Sequence, residues 1–312
     1  MIIYTEIDPN KWQGHPVLNA YRISNRTVWI DHVFPELDAF AAPEHPPETF
    51  PAVPPQIHLD GEQVTIYVGP GWIGGKTRQF VLTQEISGYD LTIEGFGRFY
   101  TSKDGSFIYS LKAVNQLSIA SKIEAILGPV MILALALQDA WCLHASAAVF
   151  QDQAIALLGE SGRGKSTLAW YLSSDDSPGW QRTNDDVLPV SQLPDGVFTL
   201  PHFPQLKLPR DDQPVYKAPE KMPLKAIYLL SGSAKPEQPI QVQTIPPAQA
   251  VLSLVRNTIA ARLFDKELLS RHLVFCQVLA QSVPMRRLSY PHDYDRLAEV
   301  RRALITDLEG LR

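Results

Sequence analysis

The chain has 312 residues, a formal net charge of −5 and two cysteines, Cys142 and Cys276. This mild negative charge gives no electrostatic support for binding to nucleic acid or to an anionic membrane. Two cysteines cannot form a disulfide framework, and the N-terminal sequence lacks the basic and apolar regions of a secretion signal. The longest apolar stretch, residues 129–137, is too short to span a bilayer. We therefore expect a cytoplasmic globular protein of one large or two smaller domains, with no membrane and no nucleic-acid partner.

Proline is dense between residues 34 and 55. Because proline fixes one backbone torsion and lacks an amide donor, this segment is predicted to form neither a helix nor a central strand. Short alternating apolar runs follow, separated by turn residues, and they predict an antiparallel meander with one face exposed to water. The runs are residues 63–68, 78–82, 89–93, 98–101 and 106–109.

Beyond residue 115 the apolar spacing lengthens to a helical period, which predicts a helix over residues 118–137. The change of period places a domain boundary near residues 111–117. We therefore predict a β-rich N-terminal module over residues 1–114 and a second domain over residues 115–312.

The next predicted element is a strand over residues 141–149 that carries His144. A short polar turn, residues 151–153, joins it to an apolar strand over residues 154–158. A connection this short makes the two strands antiparallel, because a parallel crossover needs a dozen or more residues. On spacing alone, His144 is more simply a structural residue of the sheet than a functional one.

The most specific motif of the sequence follows this hairpin. It has the form G-x-x-x-x-G-K-[ST], with an apolar strand before it and a helical run after it. In that context the glycines let backbone N–H groups surround phosphate oxygens, and the helix N-terminus adds partial positive charge. Lys165 is placed to reach the outer phosphates, and the Ser166 hydroxyl to hold Mg²⁺. The motif predicts binding of ATP with Mg²⁺ by Gly159, Glu160, Ser161, Gly162, Arg163, Gly164, Lys165, Ser166 and Thr167.

Two adjacent carboxylates, Asp185 and Asp186, end the next predicted strand. A phosphotransferase needs an acidic residue for magnesium and a base near the acceptor hydroxyl. Adjacent side chains of an extended segment point to opposite faces, so these two carboxylates are not expected to share one role. Taken alone, the pair is explained equally well by an ordinary polar turn.

Together, His144, the glycine loop and the Asp185-Asp186 pair resemble the catalytic domain of HPr kinase/phosphorylase, a bacterial protein-serine kinase family that shares its phosphate-loop architecture with phosphoenolpyruvate carboxykinase. The family pattern is a histidine on a hairpin strand, a G-[DE]-S-G-x-G-K-S loop, a helix and a strand ending in Asp-Asp. Residues 143–187 carry this order closely. The resemblance implies an α/β fold with a mixed sheet, a phosphoenolpyruvate carboxykinase-like P-loop kinase domain preceded by the β-rich module.

The resemblance also implies the roles of the site residues in an ATP- and Mg²⁺-dependent transfer to a serine hydroxyl. Lys165 and the loop amides bind the phosphates, and Ser166 holds Mg²⁺. Asp186 is a catalytic residue that helps to hold Mg²⁺ or orients the acceptor. Asp185 is the general base that takes the proton of the acceptor hydroxyl. His144 becomes an active-site residue that orients Asp185 or the transferred phosphoryl group.

The sequence departs from the family in two places. Residues 200–210 contain prolines where the family has a glycine-rich stretch, so neither its phosphorylase reaction nor its subunit contacts are carried over. The N-terminal module also lacks the family's helix–strand alternation. Arg182, Lys207 and Arg210 are candidate charge clamps, although exposed solubilising side chains are the simpler interpretation.

The acceptor has no motif in the sequence. Similar stand-alone kinases accompany gene clusters for ribosomally made peptides, which implies a protein or peptide acceptor, such as a serine of a ribosomal peptide precursor. Two alternatives stay open: a small-molecule kinase that acts on free serine, and a non-kinase ATP-binding switch protein. The oligomeric state is also open, and a homo-oligomer is implied only by the related enzymes.

Overall fold

The computed structural model describes residues 1–7, 17–44, 63–111, 119–174, 177–204, 219, 221–231 and 238–311. The chain divides into two compact units. The first unit comprises Met1–Asp139 and Ala260–Leu269, and the second comprises Ala140–Ile259 and Ser270–Arg312. Within the described residues, no helix is both long enough and apolar enough to cross a membrane.

The first unit contains one eight-stranded sheet with the strand order β2-β3-β1-β8-β7-β6-β5-β4. Its strands are β1 (Ile2–Ile7), β2 (Asn19–Ile23), β3 (Arg26–Ile30), β4 (Val64–Ile73), β5 (Lys76–Gln84), β6 (Gly88–Ile93), β7 (Gly97–Ser102) and β8 (Phe107–Leu111).

The five predicted runs are strands β4 to β8, and each pairs antiparallel with the next, which confirms the meander. Strand β5 shows the expected alternation: Phe80 and Leu82 are buried, whereas the flanking Gln79 and Thr83 are more exposed. Strand β1 was not predicted, and it pairs parallel with both β3 and β8. Its pairing joins segments far apart in sequence, which local periodicity does not reveal.

Helical structure in the first unit departs from the prediction in detail. The expected helix over residues 118–137 consists of α1 (Ile119–Ala125), a π-helical segment (Ile126–Val130) and α2 (Met131–Leu137). The interruption falls at Gly128 and Pro129, where proline removes an amide donor from the helix. The prediction that residues 34–55 contain no helix was wrong at Pro35–Phe40, a short 3₁₀ helix that proline can begin because its first position needs no donor. Residues 45–55 lie outside the described part.

The predicted domains, residues 1–114 and 115–312, differ from the division between the two units. Helix α2 contacts strands β7 and β8 and therefore belongs to the first unit. A Cβ atom at Gly105 would lie 2.4 Å from the Ala134 carbonyl oxygen, so the helix approaches the sheet closely. Asp265 accepts hydrogen bonds from Tyr89 Oη at 2.7 Å and Gln84 Nε2 at 2.9 Å, which ties residues 260–269 to the same unit.

Among the residues that the structure describes, the second unit contains nine strands and most of the remaining helices. The strands are β9 (Ala140–Leu143), β10 (Ala145–Phe150), β11 (Gln153–Leu158), β12 (Trp180–Asn184), β13 (Leu188–Leu193), β14 (Gly196–Thr199), β15 (Met222–Leu230), β16 (Gln241–Thr244) and β17 (Met285–Ser289). The helices are α3 (Lys165–Leu172), α4 (Pro247–Arg256), α5 (Lys266–Ser282), whose first turn belongs to the first unit, and α6 (Leu297–Gly310).

The sheet of the second unit is mixed, as predicted. Strand β10 pairs antiparallel with β11 and β12, while β11 pairs parallel with β15, and β15 with β17. Helices α3 and α6 cover one face, where Leu168, Leu172 and Leu304 pack in one core with Ile155 and Leu157 of β11. Each fully buried leucine stabilises the fold by about 1.5–3 kcal/mol. The glycine loop is therefore held between a buried strand and a helix with one buried face.

The strand predicted over residues 141–149 is interrupted at His144. Strand β9 pairs with β13, whereas β10 turns to pair with β11 and β12, so His144 lies where the chain changes partners. The predicted hairpin is confirmed between β10 and β11. Its turn residues Gln151 and Asp152 have φ values of 49° and 62°, the sign that a two-residue turn of the hairpin type requires.

Candidate functional site

The glycine loop connects β11 to α3, and two of its glycines are required by the geometry. Gly159 has φ 149°, and a Cβ atom there would lie 3.1 Å from the Leu230 carbonyl oxygen. Gly164 caps α3 in the left-handed conformation with φ 88°, and a Cβ atom there would lie 3.0 Å from Tyr290 Oη. A side chain at either position would strain the backbone and crowd a neighbouring atom, which would have to shift by a few tenths of an ångström. This loop can therefore hold its main chain close to a ligand at the N-terminus of α3.

Lys165 is the first residue of α3, and its side chain folds back over the loop. Its Nζ donates hydrogen bonds to the carbonyl oxygens of Gly159 at 2.7 Å and Glu160 at 3.2 Å. Burial lowers the pKa of the Lys165 ammonium from its usual value, and the nearby carboxylates of Asp186 and Asp185 raise it in part. A buried cation that faces a glycine loop is suited to an anionic ligand, because there the attraction is weakly screened.

Asp185 follows strand β12 and is buried beneath the loop. Its Oδ1 accepts hydrogen bonds from Ser146 Oγ at 2.6 Å, Ser166 Oγ at 2.8 Å and the Asp186 amide at 3.1 Å. Arg182 Nη1 lies 4.0 Å from Asp185 Oδ2. The carboxylate thus joins the glycine loop to β10 and β12, and its polar atoms are well satisfied.

Asp186 contacts a different partner from its neighbour. Its φ is 67°, and the Val187 amide donates to the Asp185 carbonyl oxygen at 2.8 Å, which closes a tight three-residue turn. Its Oδ1 lies 3.1 Å from His144 Nε2. Both side chains are partly exposed, at 40% for Asp186 and 38% for His144. Left-handed backbone at a non-glycine residue is costly, and such strain is concentrated at functional sites.

The main chain around His144 is held by a second segment. The His144 amide donates to the Asn257 carbonyl oxygen at 2.7 Å, and Leu143 forms a bridge with Thr258. The Ile259 amide donates to the Cys142 carbonyl oxygen at 2.8 Å. These bonds fix the histidine at the point where β9 ends.

The structure brings four of the predicted site residues into direct pairs: Ser166 with Asp185, and His144 with Asp186. Glu160 and Arg163 form an exposed ion pair at 2.8 Å within the loop, a contact that contributes little to stability. Thr167 is exposed on α3. Of the remaining loop residues, Ser161 and Gly162 lie at its exposed tip. Lys207 and Arg210 lie outside the described residues.

The sequence prediction did not single out Ser146. It lies two positions after His144 and is the second residue of β10. A serine within this otherwise apolar strand is a signal that could have identified it. The proximity of Tyr290 to Gly164 had no comparable signal in the sequence, because the two residues belong to elements that are distant along the chain.

The donor set fits a magnesium ion. Ser166 Oγ and the Asp185 carboxylate are hard oxygen donors in direct contact. Within the described residues, no group of three or more His, Cys, Asp or Glu side chains could hold a metal by itself. Mg²⁺ in phosphate-transferring sites commonly uses one or two protein groups, with phosphates and water completing its shell.

The chain was compared with known proteins. No protein-family model matches it, and no curated protein matches it either. Among solved structures, the HPr(Ser) kinase/phosphatase from Coxiella burnetii matches 53% of this chain and 95% of its own, with 14% sequence identity and a TM-score of 0.29. A likeness of this extent supports no inference about activity.

Proposed function

We propose that this protein is a kinase that binds ATP with Mg²⁺ and transfers the γ-phosphoryl group to a serine hydroxyl of a protein or peptide. The observation that carries the proposal is that two adjacent carboxylates beside the glycine loop have different partners. One carboxylate contacts the loop hydroxyl of Ser166, and the other contacts His144 at the solvent-facing side. Phosphoryl transfer needs one acidic group for the metal and one for the acceptor.

The phosphate end of the site consists of the loop amides, Lys165, Ser166 and Asp185. Loop amides and the N-terminus of α3 bind phosphate oxygens, and Lys165 adds its charge. Ser166 and Asp185 would hold Mg²⁺, which supplies charge neutralisation on the β- and γ-phosphates when bound. Because Ser166 already donates its proton to Asp185, its oxygen lone pairs are left available for a cation.

The acceptor end consists of Asp186 and His144. The sequence assigned the base role to Asp185, and to Asp186 a role in holding Mg²⁺ or orienting the acceptor. We now propose that Asp185 serves the metal and that Asp186 is the base. Three donors occupy Asp185 Oδ1, whereas Asp186 is partly exposed and can reach a hydroxyl on a large substrate. His144 orients the Asp186 carboxylate, as a third group orients the base in other catalytic sets.

In the proposed step the serine oxygen forms a bond to the γ-phosphorus, while the bond from that phosphorus to the β–γ bridging oxygen breaks. The hydroxyl proton moves to the Asp186 carboxylate, and ADP leaves with the electron pair of the broken bond. Lys165 and the loop amides stabilise the charge on the transferred group. Holding the serine oxygen in line with the γ-phosphorus and the leaving oxygen supplies most of the rate gain.

A macromolecular acceptor is favoured by the exposure of the His144–Asp186 pair, since an acceptor loop or peptide can approach it from solvent. The peptide-precursor substrate comes from the resemblance in sequence. The cytoplasm is the proposed compartment, and the two buried free cysteines, Cys142 and Cys276, suit its reducing conditions.

The test is phosphotransfer by the wild-type protein and by Asp186→Asn. Three acceptors are supplied separately with ATP and Mg²⁺: peptides encoded beside the gene, a serine-containing peptide library and free serine. Mass spectrometry detects the addition of about 80 Da that one phosphoryl group brings. We expect Asp186→Asn to bind ATP normally and to lose about 10²–10⁴-fold in transfer rate, because the amide cannot take the proton.

A matched control is Asp152→Asn, since Asp152 is another aspartate of the second unit with left-handed backbone and asparagine tolerates that conformation. This variant should transfer at the wild-type rate. Transfer to free serine alone would identify a small-molecule kinase, and ATP binding without any transfer would identify a nucleotide-dependent switch. Equal transfer by wild type and Asp186→Asn would refute the assigned base.

A further inference from the structure

Three strands of the second unit run parallel, and their carboxyl ends lie side by side. Strand β11 pairs with β15, and β15 with β17. In α/β sheets, ligands bind in the crevice beyond the carboxyl ends of such strands. The glycine loop follows β11, and residues 290–293 follow β17. The segment after β17 and the glycine loop therefore leave the sheet at the same end.

Two aromatic side chains occupy that segment. Tyr290 is buried at 2% exposure, and its ring packs in the core that contains Leu168 of α3. Its hydroxyl reaches the loop, where a Cβ atom at Gly164 would lie 3.0 Å from it. The exposed ring of His292 lies 5.9 Å from the Tyr290 ring, centroid to centroid, at an interplanar angle of 45°. The buried Tyr290 side chain thus reaches the loop, and the exposed His292 ring lies beside it.

We propose that His292, supported by Tyr290, forms the stacking site for the nucleobase of the bound nucleotide. This inference rests on the proposed function. It assigns a binding site to the nucleobase, the part of the nucleotide that the glycine loop does not recognise. Aromatic side chains bind bases by stacking on their π faces, which any base presents. An exposed imidazole ring beside an aromatic residue that reaches the glycine loop has the shape and chemistry for that contact.

The strand order gives this assignment a direction. Along the sheet, β12 and β10 lie on one side of β11, and β15 and β17 lie on the other. His144 immediately precedes β10, whose Ala145 pairs with Leu158 at the end of β11. Asp186 follows β12, and His292 follows β17. The loop lies between them. In-line transfer needs the acceptor and the leaving nucleoside diphosphate on opposite sides of the γ-phosphorus. The acceptor pair on one side and the base on the other satisfy this requirement.

The experiment separates the base from the phosphates by comparing two ligands. Affinities for MgATP and for inorganic tripolyphosphate with Mg²⁺ are measured by titration calorimetry on the full chain. We expect His292→Ala to weaken MgATP binding by about 5- to 150-fold, the range for loss of one base stack. Tripolyphosphate binding should change less than about twofold, because the phosphate contacts are intact. His292→Phe should restore most of the MgATP affinity, because it keeps a flat ring.

Two further variants complete the design. Tyr294→Ala removes a neighbouring exposed ring that packs edge-on against Tyr171, and it should leave both affinities unchanged. Lys165→Ala should weaken both ligands together. An equal loss of both ligands in His292→Ala, or no loss of MgATP affinity, overturns the base site and leaves the kinase proposal standing. A wild-type protein that binds neither ligand overturns the proposed function and this inference with it.

Discussion

Asp185 is the residue on which the loop and the sheet converge. Ser146 from β10 and Ser166 from α3 both donate to one of its oxygen atoms. Its side chain is buried at 9% exposure, with Arg182 at 4.0 Å. A carboxylate held by several donors cannot reorient freely, so its position defines where a cation beside Ser166 can bind. Such preorganisation is what a metal-holding group requires, whereas a base must reach its substrate.

This assignment predicts a magnesium phenotype for Asp185→Asn. The amide presents one oxygen in place of two and lowers the negative charge, so we expect the Mg²⁺ concentration for half-maximal ADP production to rise about tenfold or more. Titration of Mg²⁺ at saturating ATP measures it. Asp195→Asn, an exposed aspartate of the same unit, is the control and should show the wild-type requirement. An unchanged magnesium requirement with a lost transfer rate would return the base role to Asp185.

At the scale of elements, the glycine loop depends on the helix that follows it and on the segment after β17. Helix α3 begins at Lys165 immediately after Gly164, whose left-handed conformation turns the chain from loop to helix. Tyr290 packs against this turn. The position of the loop is therefore set by a strand, a helix and an aromatic side chain, each contributed by a different part of the chain.

We expect Gly164→Ala to destabilise the protein more than Gly162→Ala. Both positions have positive φ, 88° and 79°, so both substitutions incur the left-handed cost of about 1–2 kcal/mol. Only Gly164 also meets Tyr290 Oη, since a Cβ atom at Gly162 has nothing within 4 Å. Denaturant unfolding measures the difference, and Gly164→Ala with Tyr290→Phe should recover part of it. Equal destabilisation by the two alanines would show that the tyrosine contact has no energetic role.

At the scale of the whole molecule, local patterns predicted the parts that local chemistry determines. The loop motif, the helix after it, the hairpin β10–β11 and the meander β4–β8 were all visible as periodicity or turn composition. The break at His144 was not, because an apolar run continues through it and the break comes from pairing with β13 on one side and with β11 and β12 on the other. The turn at Asp186, which brings its carboxylate to His144, depends on a left-handed residue, and composition does not specify that conformation.

The second unit also contains a buried histidine behind the strand that leads to His144. His272 is 2% exposed, its Nε2 lies 2.8 Å from Thr258 Oγ1 and 3.3 Å from Cys276 Sγ, and its ring lies against Trp141 at 5.1 Å. Burial lowers the pKa of His272 from 6.5 to about 4. Burial also raises the pKa of the Cys276 thiol to about 12, so this neighbour does not titrate in the same range.

The shift predicts how the stability of the protein depends on pH. Between pH 6.5 and about 4 the unfolded chain binds a proton at His272 that the folded chain does not, so the free energy of unfolding falls as pH falls through this window. The full contribution is present above pH 6.5 and amounts to about 3 kcal/mol over the window.

Urea unfolding at pH 7, 6, 5 and 4, compared between wild type and His272→Gln, isolates the effect from the titrating carboxylates. The stability difference between the two proteins should shift by about this amount in favour of the variant as pH falls, because glutamine can keep the bond to Thr258 without gaining charge. A difference that stays constant across the four pH values would mean that His272 is protonated equally in the folded and unfolded chains.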